Sequence, residues 1–313
     1  MAKIYTGKAR VQRGDKADKP RRDVHAEITQ SIVAQLEAGT VPWLQPWKAG
    51  ARFSGMPRNY VSKRAYSGIN VLLLWTAAQE KGYASSEWLT FKQAKEKGGS
   101  VRKGEKATTI VFYKRLDIKE KLESGEIAEK QIMMAREYHV FNADQCDGLK
   151  SEVAPSKADT ANELNADFMR SVKLTGVDLR HGGNSAHYMP ALDYVQMPHV
   201  ADFKDGAGYM ATLAHEMVHW TGHKSRLDRL EAFAVNKAEY AFEELVAELG
   251  AAFTCAEFGI KGDLRHASYI KSWIKLLTDD KRALFRAASR ASKAVAFLYP
   301  NNSQEAVDVA EAA

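Results

Sequence analysis

Ala214-His215-Glu216-Met217-Val218-His219-Trp220 is the stretch on which the reading of this chain turns, because it contains His-Glu-x-x-His. Four residues make little more than one helical turn, so His215 and His219 stand one above the other on one face. Both imidazoles can then bind a single metal ion. Glu216 between them leans toward the open fourth position, where a water beside the metal loses a proton near neutral pH, and is the natural general base. That is the arrangement of a zinc hydrolase of the zincin type. The competing reading is a polar helix face with two hydrogen-bonded histidines, and the neighbouring residues weigh against it. Met210, Leu213, Ala214 and Met217 form an apolar stripe at helical spacing, while Thr212, His215, Glu216 and His219 share another face. Asp205 and Gly206 offer the helix a start and Gly222 a stop.

A zincin needs a third protein ligand, and the sequence offers rivals. The metzincin pattern wants Gly seven and His ten residues after the first His. Gly222 fits, but Ser225 occupies the histidine position. His223 lies at the next helical turn and serves only if the helix runs unbroken through Gly222, a poor helix residue. The downstream run Tyr240 to Phe253 reads as a helix whose core face is Phe242, Leu245, Val246, Leu249 and Phe253. Glu244 and Glu248, one turn apart, project together from its other side. Ligand type and spacing favour Glu244 as the ligand and Glu248 as the group that orients a ligand from behind, with Glu243 and His223 as rivals and a solvated acidic face as the alternative.

A chain of 313 residues is long enough for about two domains with proper cores. Its two cysteines, Cys146 and Cys255, lack metal spacing, so a reducing cytoplasm is the expected setting. The N-terminus is charged where a signal peptide needs an apolar run, and the run Ile69 to Ala78 is too short to span a membrane, so no membrane partner is expected. The net charge of +6 hides an asymmetry: residues 1–150 carry 27 Lys plus Arg against 17 Asp plus Glu, and the remainder 18 against 22. The basic half is the candidate for a polyanionic partner.

Residues 1–22 read as a flexible basic arm. Asp23 caps a helix carrying Val24, Ile28, Ile32 and Leu36, closed by Gly39. The extended segment Gly39 to Trp47 holds Trp43 and Trp47, read as stacking platforms for unpaired bases or, with equal weight, as plugs of a small core. Residues 52–68 interleave basic and aromatic types, among them Arg58, Asn59 and Tyr66, as a single-strand groove requires. Ile69 to Glu80 reads as a buried helix, and Thr90 with Gln93 as a capping box. Arg102, Lys103 and Lys106 sit on a glycine-rich turn where they can clamp phosphates or remain an ordinary solvated loop. Lys119 to Arg136 is a charged excursion, helical or a hairpin tip. Residues 151–160 look like a linker, and 301–313 like a frayed tail. His181 to Pro190 and Asp193 to Pro198 suggest a short hairpin whose edge lines the cleft and holds an extended peptide.

With these motifs in place the chain resembles the ArdC antirestriction proteins of conjugative plasmids. The N-terminal part is similar to their single-stranded-DNA-binding domain, also found in plasmid primases of the TraC type. The motifs that carry this are Gly39-Thr-Val-Pro-Trp43, Pro57-Arg-Asn59, Tyr66 to Trp75, Trp88 to Ala94, Val101 to Lys106 and Tyr138 to Asn142. The C-terminal part is similar to their zincin-like metallopeptidase domain, through His181 to Asn184, His215 to His223, Ser225 to Leu227, Glu243 to Phe253 and Asp280 to Arg282. The fold implied is α+β: a small α+β domain over residues 23–150 and a mainly helical domain with a short edge sheet over 161–300. The resemblance implies binding of single-stranded plasmid DNA, protection from host restriction, and a peptidase acting on an unidentified protein substrate. His215, His219 and Glu244 would hold Zn²⁺, or another divalent ion such as Mn²⁺, with His266 and Tyr269 as candidate oxyanion helpers. The rival function is a DNA-binding protection protein whose metal site is structural.

Overall fold

The computed structural model describes residues 23–43, 55–121, 127–149, 164–230, 236–261 and 269–300. The basic arm 1–22, Trp47, the 151–160 linker, His266 and the 301–313 tail lie outside the described residues.

Helix α1 (Val24–Glu37) starts where expected, the Asp23 carboxylate accepting from the Ala26 N–H. Strand β1 (Arg58–Asn59) precedes α2 (Ile69–Lys81), whose residues Ile69, Val71, Leu72, Leu74, Trp75 and Ala78 are buried. Asn70, buried on the same helix, donates to the Val111 carbonyl at 2.9 Å and accepts from its N–H at 2.8 Å, so both ends of its buried carboxamide have a partner. Strand β2 (Glu87–Leu89) leads into α3 (Phe91–Glu96), which opens on the Thr90–Gln93 capping box. After β3 (Ser100–Val101) the chain makes a long hairpin of β4 (Thr108–Lys121) and β5 (Ile127–Asn142), then β6 (Cys146–Asp147). The charged excursion therefore forms hairpin arms rather than a helix. The strands order as a mixed sheet β1-β2-β5-β4 with a separate β3-β6 pair.

The C-terminal half is helical: α4 (Ala166–Leu174), α5 (Gly206–Thr221), α6 (Lys237–Phe258), α7 (Ile270–Asp279) and α8 (Ala283–Leu298). A small sheet sits among them, β7 (Asp178–His181), β9 (Tyr194–Met197) and β8 (His187–Met189), with β9 central and β8 on the outside. The architecture is the expected α+β. Among the described residues no helix is long and apolar enough to cross a membrane.

The two halves share one core. Buried residues from Ile32 to Tyr299 form a continuous cluster. Trp43 meets Trp273 of α7 edge-on at 5.7 Å, and Trp75 of α2 meets Phe253 of α6 at 5.7 Å. Polar ties run alongside: Thr29 donates to the Lys281 carbonyl, the Gly68 N–H to Ser292 Oγ, and Arg58 pairs with Glu257 at 2.9 Å.

Candidate metal centre and its cleft

Helix α5 is apolar on nearly every side and is buried accordingly. The Asp205 carboxylate caps it by accepting from the Gly208 N–H at 2.7 Å, and Gly222 ends it. Helix α6 packs against it at close range. A Cβ added at Gly250 would lie 2.6 Å from Val218 Cγ2, so glycine at this position allows the two backbones to approach. That approach carries Glu244 across to the two histidines.

Three donors converge. His215 Nε2 and His219 Nε2 are 3.1 Å apart, and the Glu244 carboxylate oxygens lie 3.5 Å from the first and 3.6 Å from the second. A tetrahedral ion with nitrogen and oxygen ligands at about 2.0–2.1 Å separates its donors by roughly 3.3–3.4 Å, so the triangle has the size such an ion demands. All three residues are buried. Behind them stand the groups that fix ring orientation. His215 Nδ1 faces Glu248 at 3.6 Å, and His219 Nδ1 faces Glu243 at 3.4 Å, directing each Nε2 to the shared point. Arg229 grips Glu243 at 3.0 and 3.1 Å, donates to Thr221 Oγ1 at 2.7 Å, and donates to the Val218 carbonyl.

The electrostatics point to a cation. Glu216, Glu243, Glu244 and Glu248 are all buried here, and the buried Arg229 guanidinium pairs with Glu243. Burial opposes a charge on His215, but hydrogen bonds with Glu244 and Glu248 outweigh it and push its pKa up to about 10. Burial likewise raises Glu244, while the histidines more than offset this and hold its pKa below the usual carboxylate value. In the metal-free protein the imidazole proton thus balances a field that a divalent ion would satisfy.

The centre opens on a cavity of about 260 Å³, lined by Glu216, Tyr240, Glu244 and Tyr269 and, from the small sheet, by His187 and Tyr188. The outer strand β8 does border the cleft. Arg226 anchors that corner, pairing with Asp193, which also accepts from the Tyr188 hydroxyl at 2.8 Å, and stacking over the Trp220 ring at 3.8 Å. Tyr240 and Tyr269 hydroxyls meet at 2.9 Å on the cavity wall. Burial, with the Tyr269 hydrogen bond and the Glu244 charge, pushes the Tyr240 pKa upward, so the phenol stays a donor.

His223 falls beyond the end of α5, turns toward Ser225 with Nδ1 2.8 Å from its hydroxyl, and takes no place in the donor group. Glu243 lies behind His219 instead of in the triangle. Sequence reasoning passed over Tyr240 and Arg229. Tyr240 was recoverable, since it stands one turn before Glu244 on the same helix face; Arg229 follows a turn and gives no periodic signal.

The residues singled out for DNA fall differently. Trp43 has 0% of its surface exposed and Tyr66 1%, so neither ring has a face for a base; the core-plug alternative describes Trp43, which is sealed by Trp273. Asn59 is buried, its carboxamide oxygen accepting from the Val61 and Ser62 N–H groups. Arg58 is held by Glu257. Arg102, Lys103 and Lys106 are exposed on their turn, with Arg102 bonded to Glu105 and to the Asp144 carbonyl.

Comparison with known proteins gives a consistent picture. Residues 22–141 match the model of the N-terminal domain of anti-restriction factor ArdC, and residues 166–290 that of a zincin-like metallopeptidase. The chain is similar to the crystal structure of the antirestriction ArdC protein from R388 plasmid in its metal-free form, at 43% identity and a TM-score of 0.78 over 91% of this chain and 100% of that one. The Mn(II)-bound form gives 42% identity and a TM-score of 0.74 over 90% and 99%. The uncharacterized protein y4eC of Sinorhizobium fredii is 36% identical over 296 residues, covering 92% of this chain and 95% of that protein. DNA primase TraC of Escherichia coli is 35% identical over 297 residues, which are 90% of this chain and 20% of the primase.

Proposed function

Because the chain belongs to the ArdC antirestriction family, we propose that it protects entering plasmid DNA from host restriction, binding it as single strands through its basic N-terminal half, and that its C-terminal half is a metal-dependent peptidase. The observation that carries the peptidase reading is the triangle of His215, His219 and Glu244 standing open to a cavity lined by Glu216. A structural zinc site is closed by four protein ligands; three donors beside a cavity leave a place for water and substrate.

Two imidazoles and a carboxylate suit Zn²⁺, with Mn²⁺ as the alternative, being the ion of a solved relative. A bound ion would supply Lewis acidity toward water and toward a peptide carbonyl. Glu216 takes the proton of the attacking water and returns it to the departing amine. The Tyr240 and Tyr269 hydroxyls, on the wall of the same cavity, donate to the carbonyl oxygen as charge gathers there. The outer strand β8 receives an extended peptide by strand addition. On the DNA side, Arg102, Lys103 and Lys106 and the basic arm contact phosphates. The surplus of positive charge in residues 1–150 argues against an acidic mimic of DNA.

The test is Glu216→Ala. It should keep one divalent ion per chain, measured by elemental analysis, while cleavage of an unfolded protein substrate falls by about 10²- to 10⁴-fold. Undiminished cleavage would remove Glu216 as the base. Scoring the same variant for plasmid transfer into a restricting host separates the two functions: protection lost with cleavage makes proteolysis part of antirestriction. Protection retained assigns it to DNA binding, independent of cleavage at the metal site.

A further inference from the structure

Among the described residues, burial removes Trp43 and Tyr66 from the stacking rings that the sequence of the N-terminal half offers, and single-strand binding needs rings with an open face as well as cations. The described surface provides one exposed ring, and a half-buried one, elsewhere. Phe91, the first residue of α3, is 50% exposed, an unusual state for a phenylalanine with no core role. Lys95, one turn on, holds its Nζ 5.0 Å from the Phe91 ring centroid. The Phe91 ring leans on Phe141 at 6.4 Å. Phe141 and Tyr60 pack on one small cluster of Leu89, Ala94 and Cys146, separate from the main core. Tyr60 repeats the arrangement, with Lys63 Nζ 4.7 Å from its centroid.

Asn59 locks the two positions together. Its oxygen fixes the turn after Tyr60 through the Val61 and Ser62 N–H groups, and its nitrogen donates to Gln93 of α3 at 3.2 Å. Val61, 38% exposed, adds apolar surface on that turn. Lys92 and Lys95 sit on α3 and Lys97 at its C-terminal cap, accompanied by a single carboxylate, Glu96. Val101 packs on the same small cluster, so the turn bearing Lys103 and Lys106 leaves from its border. Lys63 is already paired with Glu87, so among the described residues of this face Lys92, Lys95, Lys97, Lys103 and Lys106, with Arg102 beside Glu105, are the cations offered to phosphates.

We infer that Phe91 and Tyr60, with the lysines beside them, form the platform on which single-stranded DNA stacks; this rests on the single-strand reading proposed above. A base laid on Phe91 displaces the Lys95 ammonium from the ring face toward the neighbouring phosphate, so one ring–lysine pair serves both parts of a nucleotide. Duplex DNA, with its bases stacked on one another, uses only the lysines.

Fluorescence anisotropy of labelled oligothymidylate on the full metal-loaded chain tests this. Phe91→Ala should weaken binding about tenfold without changing the slope of log affinity against log salt, and Phe91→Tyr should restore it. Lys95→Ala should lower that slope by about 0.7. Thermal melting verifies that each variant is folded. Wild-type binding that Phe91→Ala leaves intact would overturn the platform while sparing the single-strand reading, and would leave the patch to a protein partner. No binding by the wild type would overturn both.

Discussion

His215 and Trp43 are almost equally buried, at 5% and 0% exposure, yet they serve opposite ends. His215 is enclosed by groups that compete for its two nitrogens, and its Nε2 points to a spot shared with His219 and Glu244. Trp43 is enclosed by other hydrocarbon, edge-on to Trp273. The lesson of the pair concerns what stands beside a cavity. Polar groups buried next to an opening mark a candidate site, whereas an aromatic ring buried among other rings is held for cohesion.

That contrast can be broken from the aromatic side first, where the effect is largest. Trp43→Ala should cost about 3–5 kcal/mol. Urea unfolding should register the loss as one shifted transition in which the helical half unfolds with the N-terminal half, because the cavity opens against α7. On the metal side Glu248→Gln should weaken metal affinity about 10- to 100-fold with little change in fold, since it disturbs only the group behind His215. Competition with a chromophoric chelator measures it, and an unchanged affinity would mean that Glu248 does not orient the ring.

The third effect is the one with pH, and it is read one pH unit at a time. Folding raises the His215 pKa from 6.5 to about 10 in the metal-free protein, so this protonation contributes stability that is complete below about pH 6.5 and is lost as the pH rises through about 10. A metal ion must displace that proton, so affinity should rise by up to about tenfold per pH unit between pH 6.5 and 8.5. Calorimetry in buffers of different ionisation enthalpy should detect about one proton released per ion. The gap in melting temperature between loaded and chelated protein should widen over the same span; a flat gap would refute the assignment.

Much of the metal centre was legible because helices translate spacing into geometry. His215 and His219 at i and i+4, the Asp205 cap and the Gly222 stop each have a local cause, and the structure realises all of them. Glu244 was legible for the same reason, as one member of an acidic pair one turn apart. What spacing does not encode is which face of a loop meets the rest of the molecule. Trp43 and Tyr66 lie in connecting segments, where the partner that buries Trp43 comes from a helix some 230 residues further along the chain. Phe91 was hidden for the converse reason: a phenylalanine opening a helix reads as core until the strands around it are seen to leave it outside. Lys119 to Arg136 was ambiguous because its charges fit a solvated helix as readily as hairpin arms, and only the pairing of β4 with β5 decides.

The shared core has a consequence for how this protein can be moved between contexts. A fragment ending near residue 150 would expose Trp43 and Trp75 where Trp273 and Phe253 now cover them, and would leave Arg58 without Glu257. Inheritance should therefore favour transfer of the whole block, and the similarity to the primase TraC, which takes in 90% of this chain as one-fifth of a larger protein, has that form. For anyone grafting this metal centre onto another protein, the unit to lift runs from the first helix through the last.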